Sequence, residues 1–104
     1  MAVVAYLRVS TERQFLENQR EEIIRFAERN GMSIDKWYTE TVSGSVSSKE
    51  RKLSGVLDRM RPGDSLIVTE ISRLSRTLLE IMTILNSCIK KGVILYSTKE
   101  GYVF

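Results

Sequence analysis

Residues 3–9 read Val3-Val4-Ala5-Tyr6-Leu7-Arg8-Val9 and run straight into Ser10-Thr11. A segment so rich in β-branched, aliphatic and aromatic side chains reads as a strand buried on both faces over most of its length. Strands of that kind belong to parallel sheets covered by helices on either side. The rest of the chain alternates accordingly. Thr11-x-x-Gln14 has the spacing of a capping box, and Leu16, Gln19, Ile23, Phe26 and Ala27 recur on one helical face until Asn30-Gly31 closes it. Residues 33–38 read as a second strand and residues 41–48 (TVSGSVSS) as a mobile Ser/Gly-rich loop. Leu53, Val56, Leu57 and Met60 form the apolar face of a second helix, stopped by Arg61-Pro62-Gly63-Asp64. Residues 65–69 (SLIVT) read as a central strand. Leu74, Leu78, Ile81, Met82, Leu85 and Ile89 mark a third helix ending at Lys90-Lys91-Gly92, and residues 93–97 (VILYS) a fourth strand. The expected fold is α/β, a three-layer, open, mainly parallel sheet with helices on both faces, its strands joined by right-handed crossovers. Function in such sheets gathers beyond the carboxyl ends of the strands, here Arg8-Val9-Ser10, Glu40 with its loop, and residues 70–76.

The composition narrows the chemistry. A length of 104 residues suits one domain, and Cys88 as sole cysteine removes a disulfide framework and any cysteine-based zinc cluster. Histidine is absent, which excludes a Ser-His-Asp or Cys-His pair and a His-ligated metal. The net charge of +3 says little, but ten of the sixteen cations are arginine, whose planar fork binds phosphate better than the point charge of lysine. With no signal-peptide pattern and no apolar run approaching about 18 residues, the protein is expected to be cytoplasmic and without contact with a membrane.

Ser10 stands where a strand gives way to a helix, a place that suits a nucleophile attacking phosphate and equally suits an ordinary N-cap. Arg8, two residues earlier, points to the same face as Ser10 by the period-2 geometry of a strand. Arg73 and Arg76 are three apart, able to converge on one anion from an incipient helix, or else to pair with Glu70 and Glu80. Arg51 opens the second helix and could equally pair with Glu50. No GxGxxG or GxxxxGK[ST] loop occurs, and the acids Asp35, Glu40, Asp64 and Glu70 lack the spacing of a two-metal site. No cofactor or metal is therefore expected. Cys88, Trp37, Tyr38, Tyr96, Met60 and Met82 read as packing residues.

Tyr6-Leu7-Arg8-Val9-Ser10-Thr11, Glu40 with Ser43-Gly44, Glu50-Arg51, Gly63-Asp64 before a strand, and Ile71-Ser72-Arg73-Leu74-Ser75-Arg76 together resemble the serine recombinases, the resolvase and DNA-invertase family. Order and spacing both match, over essentially the whole chain. The resemblance implies site-specific recombination of double-stranded DNA, by inversion or resolution, through metal-independent cleavage and rejoining. Ser10 corresponds to the nucleophile of a 5′-phosphoserine intermediate, and Arg8, Arg51, Arg73 and Arg76 to the active-site arginines. Tyr6, Gln19 and Glu40 match positions that line or brace the site. It further implies that residues 1–104 are a catalytic domain whose full-length form adds a dimerisation helix and a helix-turn-helix domain and works as a homodimer or tetramer. Ser72 departs from the family's pattern, which commonly has Asp directly before the first arginine of this stretch. Against this reading stand a non-enzymatic α/β domain that binds phosphate or DNA, with Ser10 merely capping a helix, and a metal-dependent nuclease or phosphatase-like enzyme.

Overall fold

In a computed structural model, which describes residues 1–9, 13–41, 52–75 and 77–103, the VVAYLRV segment forms β1 (Val3–Val9), buried at every position after the first. It lies between two parallel neighbours, β2 (Lys36–Thr41) and β3 (Ser65–Val68), and β3 in turn pairs in parallel with β4 (Ile94–Ser97). A two-residue strand, β5 (Tyr102–Val103), adds antiparallel to β4, giving the order β2-β1-β3-β4-β5. The chain moves outward from β1 to β2, then crosses back to β3, so the strand order reverses between β1 and β3. A crevice opens at such a switch point, beyond the carboxyl ends of the strands.

The pleat sorts β1 between two layers. Val4 and Tyr6 face the side where Leu66, Val68 and Leu95 meet α2 (Lys52–Arg59) and α3 (Leu78–Lys91) through Leu53, Val56, Leu57, Ile84 and Cys88. Ala5 and Leu7 face the other side, where Ile67 meets Ile23 of α1 (Arg13–Arg29), flanked by Leu16, Phe26, Trp37 and Tyr96. Helices cover both faces, as expected of the three-layer α/β arrangement, and Cys88 and the strand aromatics serve as packing residues. α1 stops where expected: Gly31 takes φ 66°, and the N–H of Met32 returns to the carbonyl of Ala27 (2.8 Å). The capping box at residues 11–14 and the loop beyond Thr41 fall largely outside the described residues.

Three expectations are corrected. β2 begins at Lys36 rather than residue 33, because Asp35 is tied to the start of β1: its N–H donates to the Val3 carbonyl (2.8 Å) and its carboxylate accepts from the Val3 N–H (2.7 Å). The register that results sets Glu40 opposite Arg8. The third helix begins at Leu78, capped by the Thr77 hydroxyl, and Leu74 belongs to a separate segment that follows a 3-10 turn, Ile71–Arg73. The inward face of α3 is Ile84 and Cys88, whereas Leu78, Met82 and Ile89, together with Leu79, are exposed. Apolar residues lie on more than one side of this helix, so periodicity alone could not choose the side that meets the sheet.

The amino edge of the sheet is pinned by Asp64, whose two oxygens accept the N–H groups of Ala2 (2.9 Å) and Arg61 (2.9 Å). These bonds, that from Arg61 foremost, hold its carboxyl below the usual aspartate value against the opposing effect of burial. A depressed folded-state pKa gives stability that is complete above the unfolded value of about 3.9 and is lost as pH falls through the lower folded value. Asp64→Asn should therefore lower the melting temperature at pH 7 and reduce the loss of stability between pH 5 and pH 2, as followed by circular dichroism. An acid limb as steep as that of the parent protein would show that Asp64 does not contribute to it.

Candidate active site at the carboxyl edge of the sheet

At the switch point, Arg8 closes the buried run of β1 on the same face as Tyr6. Its side chain is only 5% exposed and is gripped by the 3-10 turn that follows β3: Nε donates to the Arg73 carbonyl (2.9 Å) and Nη2 to the Ser72 carbonyl (3.2 Å). Gln19, reaching across from α1, donates through Nε2 to the carbonyl of Arg8 (3.4 Å). An arginine held at both its backbone and its fork is fixed in direction, unlike the floppy cation of an open surface.

One step below, the buried Tyr6 hydroxyl donates to Glu40 Oε1 (2.8 Å). The other oxygen of Glu40 accepts the N–H of Lys52, the first residue of α2 (2.7 Å). A carboxylate on the first turn of a helix is favoured by the partial positive charge there. Glu40 thus ties β2 to the middle of β1 and to the start of α2.

Beyond β3, Glu70 accepts from Lys99 Nζ (2.7 Å) and from the Ser72 hydroxyl (2.9 Å). The bond from Lys99 is the chief reason its carboxyl stays below the usual glutamate value, with Ser72 and the charges of Lys99 and Arg73 acting in the same direction against desolvation. Glu40 and Glu70 are thereby both engaged with named partners. Of the four acids weighed as metal ligands, Asp35 and Asp64 stand at the opposite edge of the sheet, and no group of three His, Cys, Asp or Glu side chains suited to a metal occurs among the described residues.

Among the described residues, Arg73 Nε, Thr69 Oγ1 and Gln19 Oε1 are buried without a hydrogen-bond partner. Leaving such groups unmet costs about 1–3 kcal/mol each, which makes a ligand site the natural place to find them. Arg73 offers an unmet cationic donor beside the carbonyl that fixes Arg8. The structure therefore joins Arg8, Gln19 and Arg73 by hydrogen bonds and sets the Tyr6–Glu40 pair beside them, with Glu40 opposite Arg8 in register, while Ser10, Arg51 and Arg76 lie outside the described residues. Lys99 and Thr69 were not among the sequence candidates. The first joins the site across 29 positions from Glu70, a separation no local pattern reveals.

The model of the resolvase N-terminal domain matches residues 3–104. This chain belongs to the resolvase family. A resolvase of transposon Tn2501 from Escherichia coli is 46% identical over 82 residues, covering 76% of this chain and 40% of that protein. The serine recombinase PinR of E. coli K12 is 35% identical over 94 residues, covering 88% and 46%. Among solved structures, the N-terminal catalytic domain of TP901-1 integrase superposes with a TM-score of 0.81 at 20% identity, over 99% of this chain and 81% of that one. That likeness shows a shared fold. This resolvase-family chain spans about half the length of the curated relatives it matches. No helix among its described residues is long and apolar enough to cross a membrane.

Proposed function

We propose that this resolvase-family domain carries out the strand cleavage and rejoining of site-specific DNA recombination, and that the observation carrying this reading is the fixed Arg8–Arg73 pair at the β1/β3 switch point. A phosphodiester under attack gathers negative charge on its non-bridging oxygens, and guanidinium forks stabilise that charge without a metal. In the proposed step the Ser10 oxygen bonds to phosphorus, the bond from phosphorus to the 3′ oxygen breaks, and the 3′ oxygen leaves as a hydroxyl. The product is a 5′-phosphoserine, and attack by a second 3′-hydroxyl releases Ser10 and joins the new strands. Because the phosphoester is conserved, no nucleotide cofactor is consumed. Arg8, Arg51, Arg73 and Arg76 are assigned to the phosphate, with Tyr6, Gln19 and Glu40 as supports. Residues 1–104 are assigned as the catalytic domain of a longer cytoplasmic protein, a homodimer or tetramer that carries a dimerisation helix and a DNA-binding domain.

Support for a second copy comes from the exposed apolar side of α3, where Leu78, Leu79, Met82 and Ile89 form a stripe larger than a polar helix face would carry. The test uses the full-length protein and a duplex selected from a random-sequence pool for binding to it. In EDTA, a covalent adduct should accumulate at the 5′-phosphate end created by the break and yield a phosphorylated peptide containing Ser10, and sedimentation should show a dimer or larger. Cleavage that EDTA abolishes would overturn the reading. Tight DNA binding with no adduct would favour the non-enzymatic alternative, in which Arg8 serves only to tie β1 to the turn after β3.

A further inference from the structure

The 3-10 turn that grips Arg8 is itself held from outside. Residues 98–100, following β4, extend the β3–β4 pairing: Thr98 and Lys99 donate their N–H groups to the carbonyls of Val68 (3.0 Å) and Thr69 (2.9 Å). From this platform Lys99 reaches Glu70, while Glu100 accepts the N–H of Ile71 (3.2 Å) and the hydroxyl of Ser97. Glu70 in turn accepts the Ser72 hydroxyl (2.9 Å), and the Ser72 carbonyl accepts Arg8 Nη2 (3.2 Å). Hydrogen bonds therefore lead from Lys99 through Glu70 to the Ser72 hydroxyl and, across the covalent frame of Ser72, from its carbonyl to the guanidinium of Arg8.

This path has a chemical consequence at position 72. The serine there carries no charge, but its hydroxyl links it to a carboxylate two residues earlier. We propose that Glu70, clamped between Lys99 and Ser72, is a positioning residue for Arg8 and Arg73, supplying from position 70 the fixed negative charge that an acid directly before Arg73 would supply. The proposal rests on the strand-transfer reading of the site. The lowered pKa of Glu70, to which Arg73 contributes, agrees with an ionised carboxylate within the field of that arginine. Stability is not what the pair is for: the Lys99 side chain is 53% exposed and that of Glu70 26%, and ion pairs so placed add little to folding. Direction is what it can supply, because a small displacement of a phosphate-binding group is expensive in rate.

The full-length protein and its selected duplex serve for the test, with Glu70→Ala, Lys99→Met and Lys99→Arg. Single-turnover adduct formation at saturating duplex should fall about tenfold in Glu70→Ala and Lys99→Met, while the Kd for the duplex stays within about twofold and Lys99→Arg recovers most of the loss. Solvent exchange of the Arg8 Nε–H, read by NMR, should speed up in the first two variants and not in the third. Adduct formation within about twofold of the parent in Glu70→Ala would overturn the proposal, as would a loss confined to Kd or a Lys99→Arg variant no better than Lys99→Met. If the parent protein itself forms no adduct, the strand-transfer reading has failed separately. The Arg8 Nε–H then still decides: exchange unchanged in Glu70→Ala and Lys99→Met overturns the positioning role, and faster exchange in both sustains it.

Discussion

Replacing Arg8 by lysine is expected to slow adduct formation by about 10³-fold or more, in the range that single arginines supply to phosphoryl transfer. The substitution keeps the positive charge and most of the buried stem, so what it removes is the fork. In the structure that fork spends Nε on the Arg73 carbonyl and Nη2 on the Ser72 carbonyl, which sets its plane at the β1/β3 crevice. An ammonium group donates from a single nitrogen and cannot hold two neighbouring carbonyls and a phosphate oxygen in one rigid plane. Some stability should be lost too, about 1–3 kcal/mol, because carbonyls that Arg8 satisfies in a buried setting would lose their donors. That loss is separable. Thermal melts and adduct rates measured on the same preparation distinguish a folded, inactive Arg8→Lys protein from an unfolded one. A folded Arg8→Lys protein that cleaves within about tenfold of the parent would remove Arg8 from the phosphate site and leave it only its tie to the turn.

Glu40→Ala is expected to have the largest effect on folding among the site residues, about 2–4 kcal/mol. Its two oxygens satisfy the Tyr6 hydroxyl, on a fully buried side chain, and the first N–H of α2. Alanine would leave one donor stranded in the core and the other at a helix start that has lost its carboxylate. For a domain of this size that corresponds to a fall in melting temperature of more than about 10 °C. Tyr6→Phe should cost less, about 1 kcal/mol, because Glu40 keeps its bond from Lys52. Lys52 directly follows Arg51 in sequence, so Glu40→Ala should also depress adduct formation if Arg51 is a phosphate ligand. A melting temperature within about 2 °C of the parent would mean that water or a rearranged side chain replaces Glu40 without cost.

The legibility of this fold came from segments whose local signals agreed. The apolar run of β1, the Asn30-Gly31 stop of α1 and the Lys90-Lys91-Gly92 stop of α3 each placed an element or its end to within a few residues. Gly92 takes φ 74° and its N–H returns to the carbonyls of Cys88 and Ile89, as a left-handed helix terminus requires. Where signals were spread, the reading slipped. Residues 33–38 had strand-forming side chains, yet the start of β2 depends on Asp35 bonding to Val3, a partner 32 positions away. α3 carried more apolar residues than one face can hold, and only packing against the sheet chose Ile84 and Cys88 over Met82 and Ile89.

The site divides along the same line. Ser10 and its arginines could be nominated from order and spacing, because local patterning assigns those positions to expected strand ends and loop exits. Arg8 and Arg73 are 65 positions apart, and that one takes hold of the carbonyl of the other is a product of β1 and β3 lying side by side. The same holds for Tyr6 with Glu40 and for Lys99 with Glu70. What the amino-acid order determined by itself was the α/β class, the set of residues nominated to hold a phosphate, and the absence of imidazole chemistry. What the tertiary structure decided was which carbonyls the Arg8 fork meets and which partners Glu40 and Glu70 engage. Hydrophobic periodicity is a local property of the chain, whereas the direction of a buried polar group is set by partners that only the assembled sheet brings within hydrogen-bonding distance.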